Sequence, residues 1–163
     1  MREVFLVMSI FHIIAKKLTL TILKRKVAMK IEVAKSNFAV HYVDTDNSLI
    51  EQHWTNVKKK MSIAEYQDEM FNYLKFTSQY KTKNALINAL DFGFLITPEV
   101  QRWVDENIAQ KANEIVENIA FVLPDDFFAN VSIQQTMGEH EGMKYQNIRY
   151  FKTLESAKEW LLQ

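Results

Sequence analysis

Beyond residue 29 the chain opens with short runs in which apolar and polar residues alternate. Ile31–Lys35 and Phe38–Val43 both follow a period of two, the mark of half-buried strands. Asp44-Thr45-Asp46-Asn47-Ser48 is a dense turn cluster, and a third alternating run, Leu49–Trp54, follows it. Paired as a hairpin, these runs are expected to place Phe38, Val40 and Tyr42 on one face with Ile50 and Trp54. His41 then stands across from Glu51 on the other face, with His53 nearby. A slip of one residue would exchange the two faces.

The pattern then changes to helical spacing. Ser62-Ile63-Ala64-Glu65 is a capping box, with Met61 and Tyr66 placed to form a hydrophobic staple around it. Ile63, Tyr66, Met70 and Leu74 form the expected apolar stripe of the helix that follows. Asn84–Asp91 is a short, largely apolar run that reads as a buried central strand. A loop, Phe92-Gly93-Phe94-Leu95-Ile96, leads to Thr97 as N-cap and Pro98 at the first position of a second helix. That helix is expected to bury Val100, Trp103, Val104, Ile108 and Ile115. Asn118–Leu123 is another apolar strand, closed by Pro124, and Asp125 or Asp126 caps a third helix to about Met137. After the polar loop Gly138–Gly142 come a last strand, Asn147–Phe151, and a closing helix. Thr153 caps that helix, with Leu154, Ala157 and Leu161 facing inward.

The predicted order is therefore β-β-β-α-β-α-β-α-β-α. Alternation in the second half requires helical crossovers between parallel strands. The expected fold is α/β, with a single mixed, partly parallel sheet flanked by helices. No repeat or linker divides residues 29–163, so they are expected to form one domain.

Residues 1–28 read differently. Val4 to Ala15 is almost entirely apolar; Lys16-Lys17, Leu18 to Leu23 and Lys24-Arg25-Lys26 follow. This run of twelve residues, ten of them apolar, falls short of the roughly 20 that cross a bilayer. Joining the two runs would put Lys16 and Lys17 near mid-membrane, at about 2.5–3.5 kcal/mol each. Met29-Lys30-Ile31-Glu32-Val33 resembles a protein start that runs straight into a strand, so residues 1–28 are expected to be an appendage from an upstream start codon. The alternative is a basic amphipathic segment, and membrane contact is expected only if these residues are native.

Composition then narrows the chemistry. At 48% hydrophobic and 25% charged residues, the 163-residue chain has a globular balance. It has no cysteine, which excludes disulfides, thiolate nucleophiles and Cys-based zinc sites. The zero formal charge hides a net +5 in residues 1–28 and −5 in the remainder, a mildly acidic body that argues against nucleic-acid binding. No serine-hydrolase elbow, zinc-protease motif or glycine-rich phosphate loop is present. Asp91-Phe92-Gly93 spells the kinase metal-binding triplet without any other kinase motif. Gly138-Glu139-His140-Glu141-Gly142 reads as a solvated loop rather than a metal site, and His41 and His53 as surface or edge histidines without a nucleophile. No catalytic residue, metal or cofactor is expected.

Fold logic singles out one place. In open α/β sheets, ligands and partners gather beyond the carboxyl ends of strands, where a helix begins. Here that is Asp91 to Glu99. Phe92 and Phe94 in the loop, and Trp54 at a strand end, are candidates for a partner or ligand surface.

A strand ending in Asp91, a short loop, a helix, an apolar strand and a closing Thr-Leu-Glu-Ser-Ala-Lys-Glu-Trp-Leu helix together resemble the bacterial STAS-like domains. These include the anti-sigma-factor antagonists and the looser CRAL-TRIO-like group, and the similarity spans nearly all of residues 30–163. The resemblance implies a mixed sheet flanked by helices, a cytoplasmic location and action through a protein partner. In the antagonists the serine after the strand-ending aspartate is phosphorylated to break the partner complex. Phe92 stands there in this chain, and the hydroxyl in the loop is that of Thr97, which becomes the phosphorylation candidate.

The expected function is a non-enzymatic regulatory interaction module that contacts its partner through Asp91, Phe92, Phe94, Thr97 and Trp54. The alternative is a carrier or sensor of a small apolar or lipid ligand, with a cavity lined by residues such as Phe92, Phe94 and Phe128. A small hydrolase or transferase is a more distant reading.

Overall fold

Alternating runs joined by tight turns make antiparallel pairs, whereas apolar runs separated by helices must pair in parallel. Both rules are obeyed in the computed structural model, which describes residues 30–55, 60–125 and 147–163. Three strands come first, β1 (Lys30–Lys35), β2 (Ala39–Asp44) and β3 (Leu49–Trp54). Helix α1 (Ile63–Tyr80) leads to β4 (Asn84–Asn88). A second helical stretch has three parts: α2 (Pro98–Val104), a π-turn (Asp105–Ala109) and α3 (Gln110–Ala112). Strands β5 (Asn118–Val122) and β6 (Asn147–Phe151) and helix α4 (Leu154–Leu161) complete the described elements.

The strands lie in sequence order, β1-β2-β3-β4-β5-β6, in one six-stranded mixed sheet. The first two pairings are antiparallel and the last three parallel. This is the α/β architecture that the pattern predicts. The expected third helix, to Met137, and the Gly138–Gly142 loop lie outside the described residues, as do residues 1–28. Among the described residues no helix is long and apolar enough to cross a membrane.

Helices cover both faces of the sheet. On one side Tyr73 and Phe76 of α1, with Ile108 and Ala112, pack on Val43, Ile50, Ala85 and Ile119. On the other, Ala157 and Leu161 of α4 pack on Leu49, Leu86, Ala120 and Val122. Strands β3 and β4 are thus apolar on both sides, and each fully buried leucine or isoleucine contributes roughly 1.5–3 kcal/mol.

The parallel register is marked by asparagines. Asn84, Asn118 and Asn147 each open a strand and pair as Cα neighbours. The Asn118 amide donates to Asn84 Oδ1 at 3.0 Å, and the Asn147 amide to Asn118 Oδ1 at 3.2 Å. A register slip would break every rung of this ladder.

The hairpin register corrects the expected one. Tyr42 lies across from Glu51, and His41 across from Gln52. Ala39, His41 and Val43 therefore share the α1 face with Ile50, Gln52 and Trp54, while Val40 and Tyr42 share the opposite face with Glu51 and His53. The turn is compatible with this register. Asp44 Oδ1 accepts the Asp46 and Asn47 amides at 3.1 Å, and Ser48 takes a left-handed backbone, so that Asp44 pairs with Leu49. His41, expected at the surface, is completely buried.

Two element boundaries and one helical stripe are corrected as well. β4 stops at Asn88, so Asp91 lies in the following turn and does not end the strand. The stripe of α1 is rotated: Tyr66, Glu69, Tyr73, Phe76 and Thr77 are buried, Met70 and Leu74 are half-buried, and Ile63 is exposed. Its capping box forms as predicted, with Glu65 N–H donating to Ser62 Oγ at 3.2 Å and Ser62 N–H to Glu65 Oε2 at 2.8 Å. Ile115 falls beyond the second helical stretch, which ends at Ala112. The π-turn explains that helix's pattern. Val100, Val104, Ile108 and Ala112 recur every four residues, a spacing that drifts by roughly 40° per step in a regular α-helix. One wider turn offsets the drift, and Val100, Ile108 and Ala112 all stay buried.

Candidate functional site

The chain leaves β4 through a turn tied at both ends. Ala89 N–H donates to the Val122 carbonyl at 2.9 Å, and Phe92 N–H to the Ala89 carbonyl at 3.2 Å. Asp91 sits exposed on this turn. The segment then runs to Thr97, whose Oγ1 accepts the Val100 amide at 3.4 Å and so caps α2. Thr97 is exposed too.

Between these ends lies an aromatic seat. Trp54 stacks on Tyr66 with ring centroids 5.7 Å apart, and Tyr66 stacks on Phe94 at 4.8 Å. Phe92 meets Trp54 edge-on at 4.8 Å. Ala39 and Val100 close the group, and Met61, the staple residue, packs against it. Burial pushes the Tyr66 hydroxyl up to about 12, so it stays protonated.

The predicted site residues thus divide by role. Trp54, Phe92 and Phe94 come together, but Trp54 is only 5% exposed and acts from beneath the loop. Asp91 and Thr97 flank it at the surface. The residues that sequence reasoning missed are Leu90, Leu95 and Ile96, exposed at 40%, 79% and 45%. The signal was present in the run Phe-Gly-Phe-Leu-Ile: an apolar stretch crossing a surface loop cannot turn every side chain inward.

A second group of side chains lies on the α4 face, next to the start of this loop. Glu51 is 3% exposed and accepts from three donors. Lys30 Nζ and His53 Nε2 both reach Oε2 at 2.7 Å, and Lys158 Nζ reaches Oε1 at 2.9 Å. Burial alone would raise the Glu51 carboxyl; the hydrogen bonds from His53, Lys30 and Lys158 outweigh it and hold the group down at about 2. Lys30 also lies over the Tyr42 ring, 4.0 Å from its centroid.

This group is linked to the loop. Asn88 Nδ2 lies 3.1 Å from His53 Nδ1, and Asn88 Oδ1 accepts the Leu90 amide at 3.2 Å. A continuous path of hydrogen bonds therefore runs from Leu90 through Asn88 and His53 to Glu51. A carboxylate held so low, with both oxygens engaged, anchors charge and is a poor proton acceptor.

The α1 face holds a third polar group inside the core. His41 Nδ1 stands 3.7 Å from Glu69 Oε2, and both side chains are almost fully buried. Burial lowers the His41 imidazole to about 4, only partly offset by the nearby Glu69 main chain. Neither ring nitrogen closes a hydrogen bond of good geometry among the described residues. Burial raises the Glu69 carboxyl, against hydrogen bonds from Ser36 and Asn72.

No group of three or more His, Asp or Glu side chains among the described residues is placed to hold a metal ion. His140 and its flanking glutamates, and Phe128, lie outside those residues. The chain matches no protein-family model, no curated protein and no solved structure.

Proposed function

We propose that the protein is a non-enzymatic regulatory module that docks a partner protein through the 89–97 loop and the start of α2. One observation carries this reading: Leu90, Leu95 and Ile96 face outward from a loop whose inward rings pack edge-on against Trp54 and stack on Tyr66. Exposed aliphatic side chains on a firmly seated backbone suit docking, because little ordering entropy remains to be lost on binding. The resemblance to STAS-like domains points to the same loop, although Asp91 stands in the turn after β4 and not at its end. Thr97 is its candidate switch: a phosphate there would add about two negative charges beside Ile96 and oppose an apolar contact.

The carrier alternative required Phe92 and Phe94 to line a cavity. Their contacts with Trp54 and Tyr66 favour the docking reading over it.

Replacing Leu95 and Ile96 together by Asp tests the proposal. Both side chains are exposed, so unfolding free energy should change by no more than about 0.5 kcal/mol per site. A partner retained by the native chain and lost by the double variant, in quantitative pull-downs from the source cell, supports the reading. Identical capture by both proteins, or none by either, overturns it. Peptide-mapping mass spectrometry of protein from the same cells reads whether Thr97 carries phosphate.

A further inference from the structure

The path from Leu90 to Glu51 has two self-consistent hydrogen-bonding states, and they differ by one proton. Glu51 is a carboxylate and can only accept, so the 2.7 Å contact makes His53 Nε2 the donor. Asn88 is oriented by its other partner. The Leu90 amide can only donate, so the atom it meets at 3.2 Å is the Asn88 carbonyl oxygen. Asn88 therefore presents its NH2 group to His53 Nδ1, which accepts with a lone pair. In this state His53 is a neutral imidazole carrying its hydrogen on Nε2.

A second proton on His53 can go only to Nδ1. Nδ1–H would then point at the Asn88 NH2 group, donor against donor. Turning the Asn88 amide over restores an acceptor for Nδ1–H, but it sets the NH2 group against the Leu90 amide. One amide cannot satisfy an imidazolium and the Leu90 N–H with its single oxygen in both directions. The imidazolium itself is well placed, with Nε2 on the Glu51 carboxylate.

Three side chains hold the His53 ring in place. Glu51 neighbours it on β3 and Tyr42 of β2 meets its ring edge-on at 5.7 Å, while Asn88 approaches from β4. Lys30 of β1 and Lys158 of α4 reach it only through Glu51, which they help to neutralise. His41, the other imidazole whose field it shares, lies on the opposite face of the sheet.

We propose that His53 is a proton-operated latch on the 89–97 loop: neutral, it holds Asn88 turned to tie down the Leu90 amide; protonated, it takes the Asn88 oxygen and releases Leu90. The regulatory meaning rests on the docking role proposed for that loop. The latch itself is a property of the free protein.

The test is nuclear magnetic resonance on the 15N-labelled full chain across about pH 5 to 8, where histidines ordinarily titrate. The His53 ring nitrogens and the Leu90 amide should change with one common midpoint. On the acid side the Leu90 amide should lose roughly two- to tenfold of its protection against exchange, the loss of one neutral hydrogen bond. With His53→Phe, Leu90 should show no transition. With Asn88→Asp, two carboxylate oxygens can serve Leu90 and the imidazolium together, so Leu90 should stay protected while His53 titrates; this variant carries the control if His53→Phe does not fold. A His53 ring that gains no second proton in this range overturns the latch. So does a Leu90 amide that ignores the His53 titration, or one that follows it unchanged in Asn88→Asp. No partner is needed for these readings, so a failed latch and a failed docking surface give separate results.

Discussion

Three donors converge on Glu51, and two of them, Lys30 and Lys158, come from opposite ends of the described chain. Removing the acceptor charge leaves these donors facing an amide at a position that is itself almost fully buried, although the Lys30 and Lys158 side chains are about a third exposed. Glu51→Gln should therefore cost roughly 3 kcal/mol, in the range for breaking one side of a buried ion pair. The measurement is urea unfolding at pH 7, and a loss below 1 kcal/mol would show that Lys30 and Lys158, both partly exposed, simply turn to solvent. This site was only half legible in the sequence. His53 and Glu51 fall on one face of any strand by their spacing, but Lys30 and Lys158 carry no signal that either will reach Glu51. The run Phe92 to Ile96 signalled that some apolar side chain must face outward, but not which one, and Leu90 lay outside it: an apolar residue in a loop looks the same whether it packs inward or waits for a partner.

Among the elements, α1 shows local chemistry working and local chemistry under strain. Its first turn has a complete capping box. Its last turn ends on Lys81, which takes a left-handed backbone with φ of 52° while its N–H bonds the Thr77 carbonyl. Only glycine adopts that conformation without cost, and the chain has three glycines in all, none of them here. Lys81→Gly is expected to raise stability by about 1 kcal/mol, read as a higher urea midpoint at unchanged slope. A lower midpoint would mean that the entropy gained by the unfolded chain outweighs the relief. The strand and helix ends marked by caps, at Ser62, Thr97 and Thr153, were readable because a cap is a contact over three residues. The end of β4 was not. Ala89 and Leu90 continue the apolar run, and only the bonds of Ala89 to Val122 and of Leu90 to Asn88 show that the strand has turned.

Across the whole molecule, buried titrating groups set the response to acid. His41 binds its proton more weakly in the fold, at about 4, than its ordinary 6.5, so its contribution is complete above about pH 6.5 and is lost as pH falls toward 4. Glu51, at about 2 against 4.5, adds a second loss from about pH 4.5 down to 2. Glu69, raised by burial, acts in the opposite sense and loses its contribution as pH rises through its folded value. Each of the two losses approaches roughly 3 kcal/mol when complete. Urea midpoints should therefore fall in two stages below pH 6.5, and His41→Leu should remove the first. A midpoint profile from pH 7 to 4.5 that is the same in the native chain and in His41→Leu would contradict the burial of His41. What the sequence determined by itself was the order of the described elements, the caps at Ser62, Thr97 and Thr153 and the mixed sheet, because periodicity, caps and turn residues act within a few positions. Tertiary structure alone decided the hairpin register, the burial of His41 and the joining of Glu51 to the loop. A period of two is satisfied equally well after a one-residue slip, and which face is hidden depends on helices that pack from far along the chain.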